Sequence, residues 1–587
     1  MVAKRLWGGL GGLGGLGGLA GLASVLAACG SSHDLGPPLP PCTSGTPLAL
    51  AIGVYQSIDP GPVSGCIVFR ASASATEYLL VPQSASGTPN DTQSFKLQGG
   101  ALGPSAIATL VTAPEAPAAA LGPAEQFHLF LRQAERNRTY PLPQRPQLAP
   151  GAPPAAPAAA QASPPPRRPL TPADSGMINS FKVCGDLACK TLPTVDAALM
   201  KIGQHIAIYV DTAAPKPGLS QADLDALRAV FDTQLYKIDT IAFGRESDID
   251  HNGVVIVLMT NRVNELVTAT DCANKGFVAG YFFGADIDPF YGPMYNNGEI
   301  FYSIVPDPAP TLKSCAHTVA GVKSLVPVTF IHEFQHMISY NHHVLQGGKE
   351  AEILWLNEAL SHYAEELGGR SFLPGDTATY CTFVFGDVYN SAQYFQAPQT
   401  HFLVDTSGIG ALANRGAYWL FLRYLIDQYS TDTSFAQRSA FTRKLDVTSL
   451  SGPQNVATQT GQVFERLVEG WALANWVSDL PGFATPPELQ YKMWRFRTDY
   501  PLLRGRCPDP RTGAPPNTGI PPSLTLVPGV GAGSTLNLSD VLRAGSGMYF
   551  RAQQGAGAPG FTLLFSDASG RALRASLAPR LTVIRIQ

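Results

Sequence analysis

Long apolar runs are missing from most of this 587-residue chain. After the first thirty positions no stretch of about 18 or more apolar residues occurs, so no transmembrane helix is expected in the mature protein. Charge is scarce and balanced: 14% of residues are charged, 41 Lys and Arg stand against 44 Asp and Glu, and the net charge of −3 gives no nucleic-acid footprint. None of the nine cysteines sits in a CxxC spacing, which argues against a structural zinc built from cysteine. No internal repeat is visible. What the chain does have is 45% hydrophobic residues with 58 Gly and 50 Pro, the composition of globular modules joined by Pro/Gly-rich connections rather than of a disordered chain. Its length exceeds what one compact core usually organises and predicts two to four domains.

The N-terminus reads as a targeting segment, with Lys4 and Arg5 preceding a Leu/Gly-rich stretch over 6–28. It ends in Leu26-Ala27-Ala28-Cys29-Gly30, which resembles the bacterial lipobox. That resemblance implies cleavage before Cys29, acylation of its thiol and a membrane anchor; an ordinary signal peptide with a coincidental cysteine is the plainer alternative. Gly30, not Asp, follows the cysteine, which resembles lipoproteins sorted onward to an outer membrane where the host has one. The expected location is therefore extracytoplasmic, on the bacterial cell envelope. Removing Cys29 leaves eight cysteines, an even number in an exported chain. Loop proximity and domain membership suggest Cys42–Cys66, Cys184–Cys189, Cys272–Cys315 and Cys381–Cys507, although eight cysteines allow 105 pairings.

Composition then divides the chain. Residues 1–28 are the signal peptide and 29–47 a polar, Pro-rich tether. Residues 48–140 form an N-terminal β-rich module, in which short apolar runs alternate with turn residues and a helix near 124–136 closes the region. Residues 141–176 are a Pro/Ala-rich linker with twelve prolines between 141 and 173. Fully extended, those 33 residues reach roughly 100 Å at about 3.1 Å each, so the first module need not pack on the segment after the linker. Residues 177–507 mix strand patterns at 206–210 and 254–259 with helical patterns at 221–236, 326–367, 415–429 and 463–477. Residues 508–522 are a second linker, and 523–587 show the short strands of a small sandwich. The fold class expected is α+β.

The chemistry concentrates between 326 and 367. Pro327 is expected at the start of a helix whose buried face carries Phe330, Ile331, Phe334 and Ile338. Within it lies His332-Glu333-Phe334-Gln335-His336. Residues at i and i+4 stand one above the other on a helix, so both imidazoles can reach one ion at about 2.0–2.1 Å. Glu333 projects beside them, where it can take the proton of an attacking water. A third ligand is found in Trp355-Leu356-Asn357-Glu358-Ala359-Leu360-Ser361-His362-Tyr363-Ala364-Glu365, whose Leu356, Ala359, Leu360, Tyr363 and Leu367 form the buried stripe of a second helix. If the two helices run antiparallel, Glu358 meets His332 and His336 and completes a His2Glu site.

HExxH followed by an Asn-Glu-Ala-type helix resembles the gluzincin metallopeptidases, and His332-Glu-Phe-Gln-His-Met-Ile338 resembles the hyicolysin family in particular. Ser247-Asp-Ile-Asp-His-Asn-Gly253 and Arg415-Gly-Ala-Tyr-Trp-Leu-Phe-Leu-Arg-Tyr-Leu425 resemble it too, so the likeness spans roughly 177–505. The resemblance implies a zincin fold, zinc as cofactor and peptide-bond hydrolysis, with His332, His336 and Glu358 as ligands and Glu333 as the catalytic base. Thermolysin-like members place an Asp four residues after the ligand glutamate, where it orients a ligand histidine. Here that position is His362, and Glu365, one turn on, is the candidate for the role. His401, Tyr418 and Tyr424 are candidate oxyanion stabilisers, though aromatic residues in such helices are more often core.

Asp248, Asp250 and Asn252, with Gly253 after them, resemble the start of a calcium loop, but the twelfth position is Met259 rather than Glu, and an Asx-rich turn into a strand explains the pattern as well. His317, His342 and His343 lack partners at ligand spacing and read as surface polar residues. Proteins or peptides are the expected substrates. Two other functions remain open at this level: an envelope-binding or adhesion lipoprotein with a structural zinc site, and a zinc amidase acting on cell-wall material.

Overall fold

The computed structural model describes residues 39–40, 42, 47–61, 65–104, 121–141, 168–407, 411–507, 519–529 and 536–587. The signal peptide, Cys29, most of the tether and most of both linkers lie outside the described residues. Everything described belongs to one compact unit running from Pro38 to Gln587. The architecture is α+β, with a helical centre, a mixed sheet and a β-sandwich. Among the described residues no helix is long and apolar enough to cross a membrane.

The flanking β segments share their sheets. One sheet orders Pro47–Leu48, Cys66–Phe69, Phe561–Asp567, Thr92–Gly100 and Leu536–Arg543; the other orders Tyr55–Ile58, Pro579–Arg585, Thr76–Ser84, Phe550–Gln554, Leu524–Pro528 and Leu102–Pro104. Strands from both chain ends alternate in each, so the sandwich closes only when residues more than 400 positions apart pair, as Leu80 does with Phe550 and Val583. Alternation explains the burial of Thr76–Ser84 on both sides. Tyr78 and Leu80 enter the sandwich core with Phe69, Phe95 and Leu563, while Leu79 and Val81 pack on Leu473 and Trp476 of the Phe464–Val477 helix.

The mixed sheet frames the site. Its strands are β1 (Ile178–Lys182), β2 (Thr194–Ile202), β3 (Ile206–Asp211), β4 (Val255–Met259), β5 (Gly280–Phe282) and β6 (Ile300–Ser303), in the order β5-β6-β4-β3-β2-β1. The inner β4 is buried throughout and reads Val-Ile-Val-Leu-Met, the continuous apolar run of a strand covered on both faces. The edge strand β5 runs antiparallel to β6.

Five helices build or flank the site: α1 (Pro123–Asn137), α2 (Val319–Tyr340), α3 (Leu354–Arg370), α4 (Thr377–Gln396) and α5 (Ala411–Tyr429). The HExxH helix α2 starts earlier than Pro327 predicted. Thr318 caps it by accepting the Gly321 amide, and Pro327 lies inside it. A proline there leaves one carbonyl a turn back without its usual donor, which a helix of 22 residues tolerates when packing holds both sides. That packing is extensive: Phe330 meets Phe301 of β6 with ring centroids 4.8 Å apart, and Phe334 meets Phe231 at 5.4 Å. The chain leaves α2 through a π-helical turn, Asn341–Gln346, before α3. At α4 and α5 the approach is so close that a Cβ on Gly416 would overlap the Asn390 carbonyl. The eight cysteines pair as Cys42–Cys66, Cys184–Cys189, Cys272–Cys315 and Cys381–Cys507, as expected from sequence.

Candidate metal centre

Helices α2 and α3 bring His332, His336 and Glu358 to one point. The two Nε2 atoms are 3.2 Å apart, and the Glu358 carboxylate lies 3.8 Å from Nε2 of His332 and 3.7 Å from Nε2 of His336. Ligands about 2.0–2.1 Å from a tetrahedral ion are separated by about 3.3–3.4 Å, so the three groups stand close to the spacing one ion would impose.

The far side of each ring decides what the near side can do. Nδ1 of His332 is 2.6 Å from Oε1 of Glu365, and Nδ1 of His336 is 2.7 Å from Oδ1 of Asn357. Both partners accept, so each Nδ1 carries a proton and each Nε2 is the nitrogen turned toward Glu358. Burial, with help from Arg132, holds His336 well below its usual range and therefore neutral. Neither oxygen of Glu358 has a hydrogen-bond partner among the described residues, although the residue is buried. Burial opposes its charge, but the Arg415 guanidinium outweighs that and holds the carboxyl well below its usual range. The Arg415 guanidinium stands 3.5 Å away, an ion-pair rather than a hydrogen-bond distance. Two imidazole nitrogens and an ionised carboxylate thus converge in a buried space, and a cation is the group that fits.

Glu333 lies beside this point, with Oε2 accepting the Phe282 amide of β5 at 2.9 Å. Burial raises its carboxyl above the usual range against the opposing pull of His332 and Arg132. Behind His332 the network continues: Nδ1 of His362 is 3.4 Å from Glu365 and 3.2 Å from Asp387 of α4. Burial disfavours the imidazolium there, but the two carboxylates outweigh it and push His362 up to about 10.

Helix α1 lies on the sheet side of the site. Its Arg132 donates to the Phe282 carbonyl at 3.1 Å and to Glu135 at 3.0 Å, and Glu135 in turn accepts the Gly284 amide at 3.0 Å. Nδ1 of His128, one turn back on the same helix, is buried with no partner among the described residues, and burial, with Arg415 nearby, holds the ring well below its usual range.

The other sequence candidates fall elsewhere. Asp248 and Asp250 gather with Glu299, and the Asn252 side chain lies against Asp250, donating to it and accepting the Val254 amide. Tyr418 donates to Asp405 and Tyr424 to the Glu488 carbonyl, while His401 packs near Tyr394. His317, His342 and His343 are buried rather than at the surface. His317 packs on Phe277, the Arg245 amide donates to Nε2 of His342, and Nε2 of His343 lies 3.9 Å from Glu352. Spacing could not show this, because burial there comes from contacts distant in sequence.

Asn357, Asp387, Arg415, Arg132 and His128 carry no role in the sequence reading. Asn357 and Arg415 sit inside the family-like motifs and could have been examined as neighbours of a ligand; Asp387 and the α1 residues leave no local signal.

No family model matches the chain. It is similar to the neutral metalloprotease ShpI of Staphylococcus hyicus, 29% identical over 138 residues, a match that takes in 23% of this chain and 29% of that protein. The similarity thus spans less than a third of that relative's length.

Proposed function

We propose that the chain is a zinc metallopeptidase of gluzincin type that hydrolyses peptide bonds in protein substrates outside the cytoplasm, held to the envelope by acylated Cys29. The observation that carries this reading is the meeting of two imidazole Nε2 atoms with a buried carboxylate that has no hydrogen-bond donor among the described residues. Two nitrogens and one carboxylate are a donor set suited to zinc with one position left open. The partial similarity to a neutral metalloprotease supports the same reading.

His332, His336 and Glu358 would hold the ion. When bound, zinc polarises the scissile carbonyl and makes an adjacent water more acidic. The protein supplies the remainder. Glu333, fixed by the Phe282 amide and made more basic by burial, takes the proton from the attacking water and returns it to the leaving amine. Glu365 and Asn357 hold the two rings in the tautomer that faces the ion, and His362 with Asp387 holds Glu365.

Replacing Glu333 by Gln is the test. Bound zinc, measured by elemental analysis, stays near one equivalent while casein turnover falls by about 10²–10⁴-fold or more. Retained turnover overturns the assignment of the base. Cleavage of cell-wall fragments but not of casein keeps the site and overturns the protein substrate.

A further inference from the structure

A crevice of about 120 Å³ lies outside the metal centre, and none of the metal-site residues lines it. Strands β3, β4 and β6 run parallel, so their carboxyl ends, at Asp211, Met259 and Ser303, share one edge of the sheet. The crevice opens there, where the segments leaving the strands part from one another, the usual position for a ligand on a sheet with parallel strands. We propose that it is a binding site for a peptide C-terminus ending in a branched aliphatic residue, with that side chain in the crevice and the terminal carboxylate on Lys216.

The walls set the kind of group that enters. Met200, Val210, Leu219, Leu224, Met259 and Val305 line the crevice, and their side chains offer no hydrogen-bond donor. A polar group buried against them is left unpaired at a cost, so the part of the ligand that penetrates is hydrocarbon. The volume limits its size. An apolar cavity of about 150 Å³ accepts a benzene ring. The 120 Å³ here suits a Val, Leu or Ile side chain and excludes an indole or a long acyl chain.

The mouth sets the charge. Lys216 stands on the loop between β3 and the helix Gln221–Val230, is exposed, and has no ion pair or hydrogen bond with any described residue. Asp211, the other charged residue at the crevice, is engaged: one oxygen accepts the Thr260 hydroxyl at 2.7 Å and the other the Ala213 amide at 2.8 Å. An anion is therefore the complement, and a ligand that also carried an ammonium would find no vacant carboxylate beside it. That selects the last residue of a peptide, whose nitrogen is an amide, over a free amino acid. Pro215 and Pro217 flank Lys216 and fix two backbone torsions of the loop, so the mouth is ordered before the ligand arrives and little entropy is lost on binding. Peptide-bond hydrolysis creates ends of this kind, but binding here requires neither the metal nor the metallopeptidase reading.

Acetyl-Ala-Leu, with its free carboxylate, is the probe, titrated calorimetrically into the full-length protein in excess chelator so that the metal centre takes no part. A Kd on the order of 0.1–1 mM is expected for so small a ligand. Acetyl-Ala-Leu amide, free leucine and decanoate should each bind about 10-fold more weakly or worse, and Lys216→Met should weaken acetyl-Ala-Leu by about 10-fold or more, the effect of losing a charged partner. Ala198→Phe, which fills the crevice, should abolish binding; should that variant unfold, Lys216→Met at its exposed position still decides. No binding of acetyl-Ala-Leu up to about 10 mM, or binding that Lys216→Met leaves unchanged, overturns the site. Decanoate or free leucine binding as tightly as acetyl-Ala-Leu overturns the peptide C-terminus as its occupant.

Discussion

Changing Glu365 to Gln probes the tightest contact in the site. The carboxylate stands 2.6 Å from Nδ1 of His332, and both groups are buried. At that distance the bond is charge-assisted and fixes the ring so that its other nitrogen faces Glu358. Gln keeps the size and one acceptor oxygen but removes the charge, and its amide can turn its NH2 toward the ring instead. Losing an outer partner of a ligand histidine typically lowers metal affinity about 10–100-fold, or about 1.4–2.7 kcal/mol. The upper end is expected here because His362 leans on the same carboxylate at 3.4 Å and loses its counter-charge as well. Zinc affinity is read by competition with a chromophoric chelator near pH 7, with thermal unfolding of the apo-protein measured alongside. An affinity within about threefold of wild type, in a variant that melts cooperatively, refutes the orienting role. A fall accompanied by loss of the fold points to the buried charge balance of Glu365, His362 and Asp387 instead.

Two further outcomes concern other parts of the molecule. Burial opposes the charge on Glu366, but Arg423 and Arg370 outweigh it and hold the carboxyl down to about 2. The unfolded chain has the ordinary glutamate value near 4.5, so it binds the proton first as pH falls. Stability from this group is therefore present above about pH 4.5 and lost progressively as pH drops toward 2. The loss is on the order of 3 kcal/mol, and a wild-type unfolding series from pH 6 to 2.5 should show a fall that Glu366→Gln, already destabilised at pH 6, does not. Deleting residues 523–587 should abolish soluble folding rather than release a stable shorter enzyme, since it strips both sheets of the sandwich and uncovers Leu80, Phe95 and the Leu473 helix face. A truncated chain with a cooperative melt would contradict that.

The candidate metal donors could be picked out in the sequence because their geometry is local. A helix fixes where residues four apart point, so His332 and His336 could be paired from their spacing alone, and Glu358 stood on the next strongly helical segment. Short continuous apolar runs likewise located the strands at 206–210 and 254–259, and even cysteine number with loop proximity suggested the four pairs. Proline statistics misplaced the start of α2, because favourable packing along a long helix outweighs one missing hydrogen bond.

Other features depend on contacts that no local pattern encodes. Asp387 reaches His362 because α4 packs on α3, and Arg415 reaches Glu358 because Gly416 lets α5 approach α4 closely. The interleaving of strands from the two chain ends, the burial of His343, and the contact of α1 with β5 arise in the same way, from segments brought together only by burying apolar surface. Periodicity records which face of an element is apolar, and so the sequence determined the elements and the donor residues. Which faces meet is decided by the competition among all of them for one core, and that was settled only in the tertiary structure.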